Sequence, residues 1–432
     1  MIKRSFFGLA KPRLEYELLK DPLPETEKIS IADKVTLFLK NSSGQKDSDL
    51  LKVGEKVRTG QKLSPYENAE AYVISPVTGT IASLSFFTGD FGRSLTAIFI
   101  EVAQTEETDG QFGEISGDPT LDALKSYLAF APGSPPVHVF PDSGKPINTI
   151  IILGIDHDLL ITTNQYVLRT DINAVKSGVG VLKKTTGVDK IILVVPRHLM
   201  QDAVATGAEV KTVDSKYPAA LPHIIMKDIL GQVVPAGKNC EDLGVAFFTA
   251  EAVASIGRAF DNGRIPVTKT LTLVKKDGNQ TLVSARIGTP VAKILNACKV
   301  NLTEKDRIIL GGPMTGSSIY SEEHPVQPDT DAIIIQDRDT LPLISDYPCI
   351  NCGECVRVCP AKVPVNMLVR FLEAGHYETA ADNYDLYSCI ECGLCSYVCV
   401  SRMPIYQHIR LAKYKLERAR SDWADLTEDT YA

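Results

Sequence analysis

Eight of the chain's ten cysteines fall in two short runs, Cys349-x2-Cys352-x2-Cys355-x3-Cys359 and Cys389-x2-Cys392-x2-Cys395-x3-Cys399. Three thiolates spaced by two residues wrap one side of an iron–sulfur cubane, with backbone N–H groups aimed at its sulfides. A fourth, set three residues further on, lies beyond the reach of that loop and points to a neighbouring cluster. The spacing therefore predicts two [4Fe–4S] clusters with crossed ligation. One uses Cys349, Cys352, Cys355 and Cys399, and the other uses Cys389, Cys392, Cys395 and Cys359. Gly353 and Gly393 stand where each loop must stay small beside its cluster. Zinc sites pair their ligands across longer loops. Disulfide frameworks spread their cysteines through short secreted chains. Both remain as alternatives that this doubled spacing disfavours. A cubane with four thiolates has no open iron for a substrate, so the chemistry expected is the passage of single electrons.

Something must position these runs. Between them, "VPVNMLVRFLEAGHYETAADNY" has an amphipathic helical pattern and is longer than the spacer of a free bacterial ferredoxin. This suggests a cluster domain built into a larger protein, over 341–432. Pro360 follows the first run, but Val400 follows the second, with Pro404 later. The tail "IYQHIRLAKYKLERARSDW" is basic and helical, and is read as a solvated face. Upstream, 432 residues leave room for several domains. Residues 1–110 alternate apolar and polar positions around Gly54, Gly60 and the "SPVTGT" turn, and read as mostly β. These halves resemble the barrel-sandwich fold of biotinyl and lipoyl domains, but the turn lacks the carrier lysine. Residues 111–265 begin with a polar connector to about 145. They continue as α/β, with "INTIIILGI" and "KIILVV" as buried strands and "NAVKSGVGVLKKTTG" as a helix. Residues 266–340 return to short strands and one helix. A net charge of −7 does not suggest a nucleic-acid partner. The N-terminus is too charged for a signal peptide, and no apolar run is long enough to span a membrane.

The order of these segments resembles the C subunit of the Rnf electron-transport complex. The similarity is carried by "CIECGLCSYVCVSRMPIYQHIRLAK" from Cys389, "RIGTPVAKIL" (Arg286–Leu295), "GGPMTG" (Gly311–Gly316) and "TAEAVASIGRAFDNGRIP" (Thr249–Pro266). It implies a multidomain α/β plus β fold: a barrel-sandwich module, an α/β domain like the 51-kDa flavoprotein subunit of complex I, an SLBB-like β-grasp module and an α-helical dicluster domain. It further implies partner subunits of a membrane-bound redox complex, a flavoprotein or ferredoxin partner, and peripheral attachment on the cytoplasmic side. The family binds FMN and NADH in its α/β domain, and here the sequence departs. The glycine-rich flavin loop is replaced by "FAPGSPPVHVF" (Phe130–Phe140), with Pro132, Pro135 and Pro136 where N–H donors are needed. An acidic motif after the first strand is replaced by "GIDHDLL", which retains Asp156 and Asp158. Phe247 or Phe248 stands where the family has Asn. FMN binding is therefore expected to be weakened or lost. The alternative is an FMN-containing, NADH-oxidising subunit.

Other residues have ordinary readings. His157 ends a buried strand, where open sheets bind ligands, but a polar loop is the simpler account. "GGPMTG" lacks the Lys-Ser/Thr of a phosphate loop and reads as a tight turn. Cys298 lies on an apolar helix face, and Cys240 lies in a polar loop with no assigned role. "YSEEHPVQPDTD" is broken by Pro into a loop without metal-ligand spacing.

Overall fold

The computed structural model describes residues 12–40, 51–66, 69, 71–140, 146–341, 344 and 347–428, with side chains to residue 420. The N-terminal stretch read against a signal peptide lies largely outside these residues. The chain divides into two compact units. The larger comprises 16–225 and 240–339, and the smaller comprises 1–15, 226–239 and 340–432.

The larger unit holds three principal sheets. β1 (Thr26–Lys28) belongs to the third of them. In the first, β2 (Lys34–Lys40) and β3 (Gly79–Thr88) both run antiparallel to β4 (Ser94–Val102), and Lys56–Val57 pairs with β3. The two-residue period of the strands sends Val35, Leu37, Leu39, Ile81, Ile98 and Ile100 inward. They meet Val57, Leu63, Val73 and Val77 in one core. The "SPVTGT" turn is pinned down. The Ser75 hydroxyl donates to the Val77 carbonyl at 2.7 Å, and the Thr78 hydroxyl donates to the Glu107 carbonyl at 2.7 Å. A hairpin tip without lysine and tied to its own barrel cannot serve as a swinging arm. Intact-mass measurement of the purified protein is expected to show no lipoyl or biotinyl addition, and such an addition within residues 12–110 would contradict this account.

The second sheet is wholly parallel. β5 (Thr149–Leu153), α1 (Thr163–Thr170), α2 (Ile172–Thr186), β6 (Lys190–Pro196), β7 (Glu209–Val213), β8 (Val245–Thr249) and α3 (Ala250–Asn262) give the order β7-β6-β5-β8. Ile150, Ile152 and Leu193 are buried against α2 and α3, which explains the continuous apolar runs of β5 and β6. The strand order reverses between β5 and β8, so ligands of such a sheet are expected beyond their carboxyl ends. The segment 111–140 differs from the polar connector expected. It forms helices at Gln111–Ile115 and Leu121–Tyr127, and it buries Phe112, Leu124, Leu128 and Val137 in the core of this sheet. Its apolar residues recur at helical spacing, a signal that the flanking Gly and Pro residues obscured. Thr120 caps the second helix by accepting from the Ala123 N–H.

The third sheet is mixed. β9 (Thr268–Val274), β10 (Gln280–Arg286), α4 (Val291–Ala297), β11 (Arg307–Leu310), β12 (Ser317–Ile319) and β13 (Ala332–Gln336) give the order β1-β10-β9-β13-β11-β12. α4 packs Val291, Ile294 and Leu295, with Cys298 just after it, on Leu271, Leu273, Val283 and Ile333.

The smaller unit is helical. α5 (Glu354–Val358), α6 (Val365–Glu373), a helix at Tyr377–Asn383, α7 (Leu394–Val398) and α8 (Ile405–Glu428) surround a core of Val363, Leu368, Val369, Leu372, Met403, Ile405 and Ile409. The solvated tail expected from sequence is therefore only partly so. Ile405, Ile409, Ala412 and Leu416, at helical spacing, bury one face of α8. Among the described residues, no helix is long and apolar enough to cross a membrane.

Candidate metal centre

The two cysteine runs fold alike because they require the same backbone. Asn351 and Glu391 have φ of 57° and 55°, and Gly353 and Gly393 have φ of 74° and 71°. The glycines start α5 and α7 in the left-handed region, where a Cβ is disfavoured. Each short helix ends at the fourth cysteine of its run. The Cys359 N–H donates to Val356 O, and the Cys399 N–H donates to Ser396 O. The chain then turns through Lys362 and Arg402, with φ of 59° and 53°, into α6 and α8.

The two runs influence one another electrostatically. The Cys355 thiol feels Cys349 and Cys352 of its own run and also Cys399 of the other. Cys359 acts in turn on Cys389 and Cys392. Backbone amides approach sulfur: Glu391 N–H donates to Cys389 Sγ at 3.5 Å, and Met403 N–H donates to Cys399 Sγ at 3.4 Å. Burial, reinforced by the neighbouring cysteines, pushes the Cys355 thiol up to about 11. Burial likewise pushes Cys392 up to about 12 and raises Cys389 and Cys395. Among the described residues, no three His, Cys, Asp or Glu side chains converge to hold a single metal ion. A cubane instead gathers its thiolates around a wider perimeter, and two groups of three plus one suit it. The groups differ in access: Cys352 is exposed, whereas Cys392 and Cys395 are each 8% exposed.

The carboxyl end of the parallel sheet offers less than its topology promises. Asp156, 2% exposed, accepts from the Asn164 N–H at 2.8 Å, Asn164 Nδ2 at 3.1 Å and Gln165 Nε2 at 3.4 Å. Burial, with Asp331 adding to it, raises its carboxyl to about 6. Asp158, fully buried, accepts from Met314 N–H, Thr315 N–H and the Thr315 hydroxyl at 3.2, 2.8 and 2.6 Å. It thus clasps the "GGPMTG" turn, and a Cβ at Gly312 would stand 2.0 Å from the Asp158 carboxyl carbon. His157 lies between the two, partly exposed. The acidic residues retained in "GIDHDLL" are engaged in holding loops.

The N-terminus of α3, where a phosphate would be drawn, is similarly engaged. Thr249 Oγ1 accepts from the Ala252 N–H at 3.1 Å, and Asn164 Oδ1 accepts from the Glu251 N–H at 3.3 Å. The proline-bearing loop lies directly against it: a Cβ on Gly133 would stand 2.3 Å from the Ala252 nitrogen. That loop's own amides are engaged too, Gly133 N–H with Pro328 O and Ser134 N–H with Ala131 O, both at 2.9 Å. Phe248 is buried, in ring contact with Phe140. Two adjoining clefts of about 450 and 560 Å³ lie elsewhere, the second at the opposite end of α3 beside Arg258, Asn262 and Arg264. Arg286, which lines the first, is held by Glu106 at 2.6 and 3.0 Å and by Pro76 O at 2.6 Å.

One buried group escapes a reading of the sequence. Lys269, fully buried in β9, pairs with Glu251 of α3 and with Asp331 at 2.8 Å. Burial works to lower the pKa of the Lys269 ammonium, but the charges of Asp331 and Glu251 outweigh it and hold it up. Residue 269 shares a strand face with Leu271 and Leu273, so a lysine at an apolar register is the signal available. Asp331 closes the "YSEEHPVQPDTD" loop, where the spacing alone assigns the acid no role. Cys240, read as a loop residue, is 5% exposed, and burial pushes its thiol up to about 12.

Comparison with known proteins adds to this picture. The family described as the RnfC barrel sandwich hybrid domain matches residues 23–105, and the 4Fe-4S dicluster domain matches 341–400. The chain is 24% identical to the C subunit of the ion-translocating oxidoreductase complex of Methanosarcina acetivorans, covering 89% of this chain and 91% of that one. It is 25% identical to the protein of the same name from Rhodobacter capsulatus, covering 83% and 73%. It is also 25% identical to the C subunit of the Na(+)-translocating ferredoxin:NAD(+) oxidoreductase complex of Acetobacterium woodii, covering 74% and 76%. A solved NAD+-reducing [NiFe]-hydrogenase shares 12% identity with a TM-score of 0.44, covering 70% of this chain and 61% of its own, too distant to bear on function.

Proposed function

We propose that this RnfC-like chain is an iron–sulfur electron-transfer subunit of a membrane-associated redox complex. The observation that carries the reading is the shared backbone of the two runs, each a left-handed loop opening on a glycine-started helix that ends at the fourth cysteine. Electrostatic influence across the runs, of Cys399 on Cys355, Cys359 on Cys389 and Cys392, and Cys355 on Cys395, supports it. Cys349, Cys352, Cys355 and Cys399 hold one [4Fe–4S] cluster, and Cys389, Cys392, Cys395 and Cys359 hold the other. When bound, each cluster supplies one-electron transfer. The protein's part is to fix eight thiols, to aim the Glu391 and Met403 amides at sulfur, and to keep water from Cys392 and Cys395 while leaving Cys352 open. Reconstituted protein with about eight iron atoms per chain and one-electron reduction meets this reading, whereas stoichiometric zinc with no iron refutes it.

The finer organisation belongs to the same proposal. Residues 1–110 form a lipoyl-like barrel without carrier lysine, 111–265 a 51-kDa-like α/β domain, 266–340 an SLBB-like β-grasp and 341–432 the dicluster domain. The chain sits on the cytoplasmic side of the membrane through partner subunits, and exchanges electrons with a flavoprotein or ferredoxin partner.

The alternative reading is an FMN-containing subunit that oxidises NADH, and the name of the Acetobacterium woodii relative favours it. A hydride must be split into single electrons before clusters can carry them, so that activity requires a flavin. The engaged amides of the 130–140 loop and the capped start of α3 support the adaptor reading instead. Cluster-loaded protein with added FMN is expected to reduce an artificial acceptor from NADH far below about one turnover per second. Turnover at or above that rate, with flavin recovered by acid extraction, transfers the assignment to the alternative.

A further inference from the structure

The smaller unit contains an internal duplication whose halves differ in charge at several corresponding places. From Cys349 with Cys389 through Pro364 with Pro404, its residues correspond at a constant offset of 40. The correspondence extends to conformation: Asn351 with Glu391, Gly353 with Gly393 and Lys362 with Arg402 share left-handed φ. Carried into the following helices, it matches Glu373 at the end of α6 with Lys413 in α8.

In the second half, Lys413 Nζ donates to the Cys389 carbonyl at 2.7 Å and to Glu391 Oε1 at 2.8 Å. Its side chain is 22% exposed, so solvent screens it only in part. In the first half, the loop position matching Glu391 is the neutral Asn351, which accepts from Asn366 Nδ2 at 2.7 Å. The position matching Lys413 is Glu373, which is exposed. The first half has its own cation at another place: Arg357, matched by the neutral Tyr397, donates to the Cys352 carbonyl at 3.0 Å and pairs with Glu354, but its side chain is 51% exposed. Each run therefore has a cation on the carbonyl of one of its cysteines, and the two differ in which cysteine is bound and in how far solvent screens the charge.

We propose that Lys413 is the positioning residue that sets the reduction potential of the cluster held by Cys389, Cys392, Cys395 and Cys359, an inference that rests on the ligand assignment above. Reduction adds one negative charge to a cluster. A fixed cation at the loop that carries it stabilises the reduced form, and the Glu391 carboxylate in the same loop opposes it. The duplicated fold thus supplies two similar cages, each with a cation on a cysteine carbonyl, and the lesser exposure of Lys413 than of Arg357 gives the second the less screened charge.

The test is a redox titration of the reconstituted full chain, followed by electron paramagnetic resonance, with iron analysis on each sample. Lys413→Gln is expected to lower the potential of one cluster by about 59 mV, a tenfold shift in a one-electron equilibrium, and to leave the other unmoved. Glu391→Gln is expected to raise the same cluster's potential, and Lys413→Arg to preserve it. Opposite signs for the first two variants separate a charge effect from a loosened loop, which moves both the same way. Full iron with neither potential changed, or with both clusters shifted together, overturns the tuning role alone. Failure of the parent protein to take up two clusters overturns the ligand assignment, and this proposal with it.

Discussion

Cys359→Ala damages the cluster of the second run, and Cys399→Ala that of the first. The expected result is a fall from about eight iron atoms toward about four in each variant, with a different resonance lost in each. Comparison among variants assigns the signals. Cys359→Ala should give the same residual spectrum as Cys392→Ala, and Cys399→Ala the same as Cys352→Ala. Each of the five-residue helices α5 and α7 ends at the fourth cysteine of its run, and the proposed assignment gives that cysteine to the other cluster, in keeping with the electrostatic influence of Cys359 on Cys389 and Cys392 and of Cys399 on Cys355. If Cys359→Ala instead matches Cys352→Ala, each run serves its own cluster and the crossed assignment is wrong.

Lys269→Met is expected to be the most damaging single change in the larger unit. It leaves the Glu251 carboxylate, 1% exposed, and Asp331 facing one another without a cation. Breaking a buried pair from one side costs about 3–5 kcal/mol, which for a unit of this size lowers the melting temperature by roughly 10 °C. The deficit should depend on pH. Burial already raises the Glu251 carboxyl above its ordinary range, against the pull of Lys269. Without the lysine it rises further, so the folded state binds the proton more tightly than the unfolded state. The deficit then grows as pH rises from the parent's already raised Glu251 value through the higher value of the variant, and shrinks below both. Lys269→Met combined with Glu251→Gln should recover much of the loss. Thermal unfolding of Lys269→Met that matches the parent at pH 7 would show that the pair holds nothing together.

The parts of the site that sequence made legible are those fixed by local chemistry. Cysteine spacing, Gly353 and Gly393 depend on backbone within a few residues, so the two matching loops, with their left-handed glycines, could be read directly. β5 and β6 were legible because a parallel strand buried on both faces has no choice but an apolar run. What failed were features created by distant partners. The helices of 111–127 look like a connector until Phe112 and Leu124 meet the parallel sheet. Asp156 and Asp158 look like remnants of a binding motif until Asn164 and Thr315 arrive to hold them. Lys413 looks like one charge in a basic tail, since nothing local tells that Cys389 lies 24 residues upstream yet 2.7 Å from its ammonium.

Crossed ligation also bears on the order in which such a protein can be made. A chain leaves the ribosome from its N-terminus, and in the assignment proposed above the cluster of the first run is completed by Cys399, the last of the eight proposed ligands to emerge. Cys359, by contrast, is already waiting when the second run appears. On that assignment neither cage closes on a nascent chain that stops between the runs, so cofactor delivery follows synthesis of the second run, and a product terminated before it carries no finished redox centre to react with oxygen.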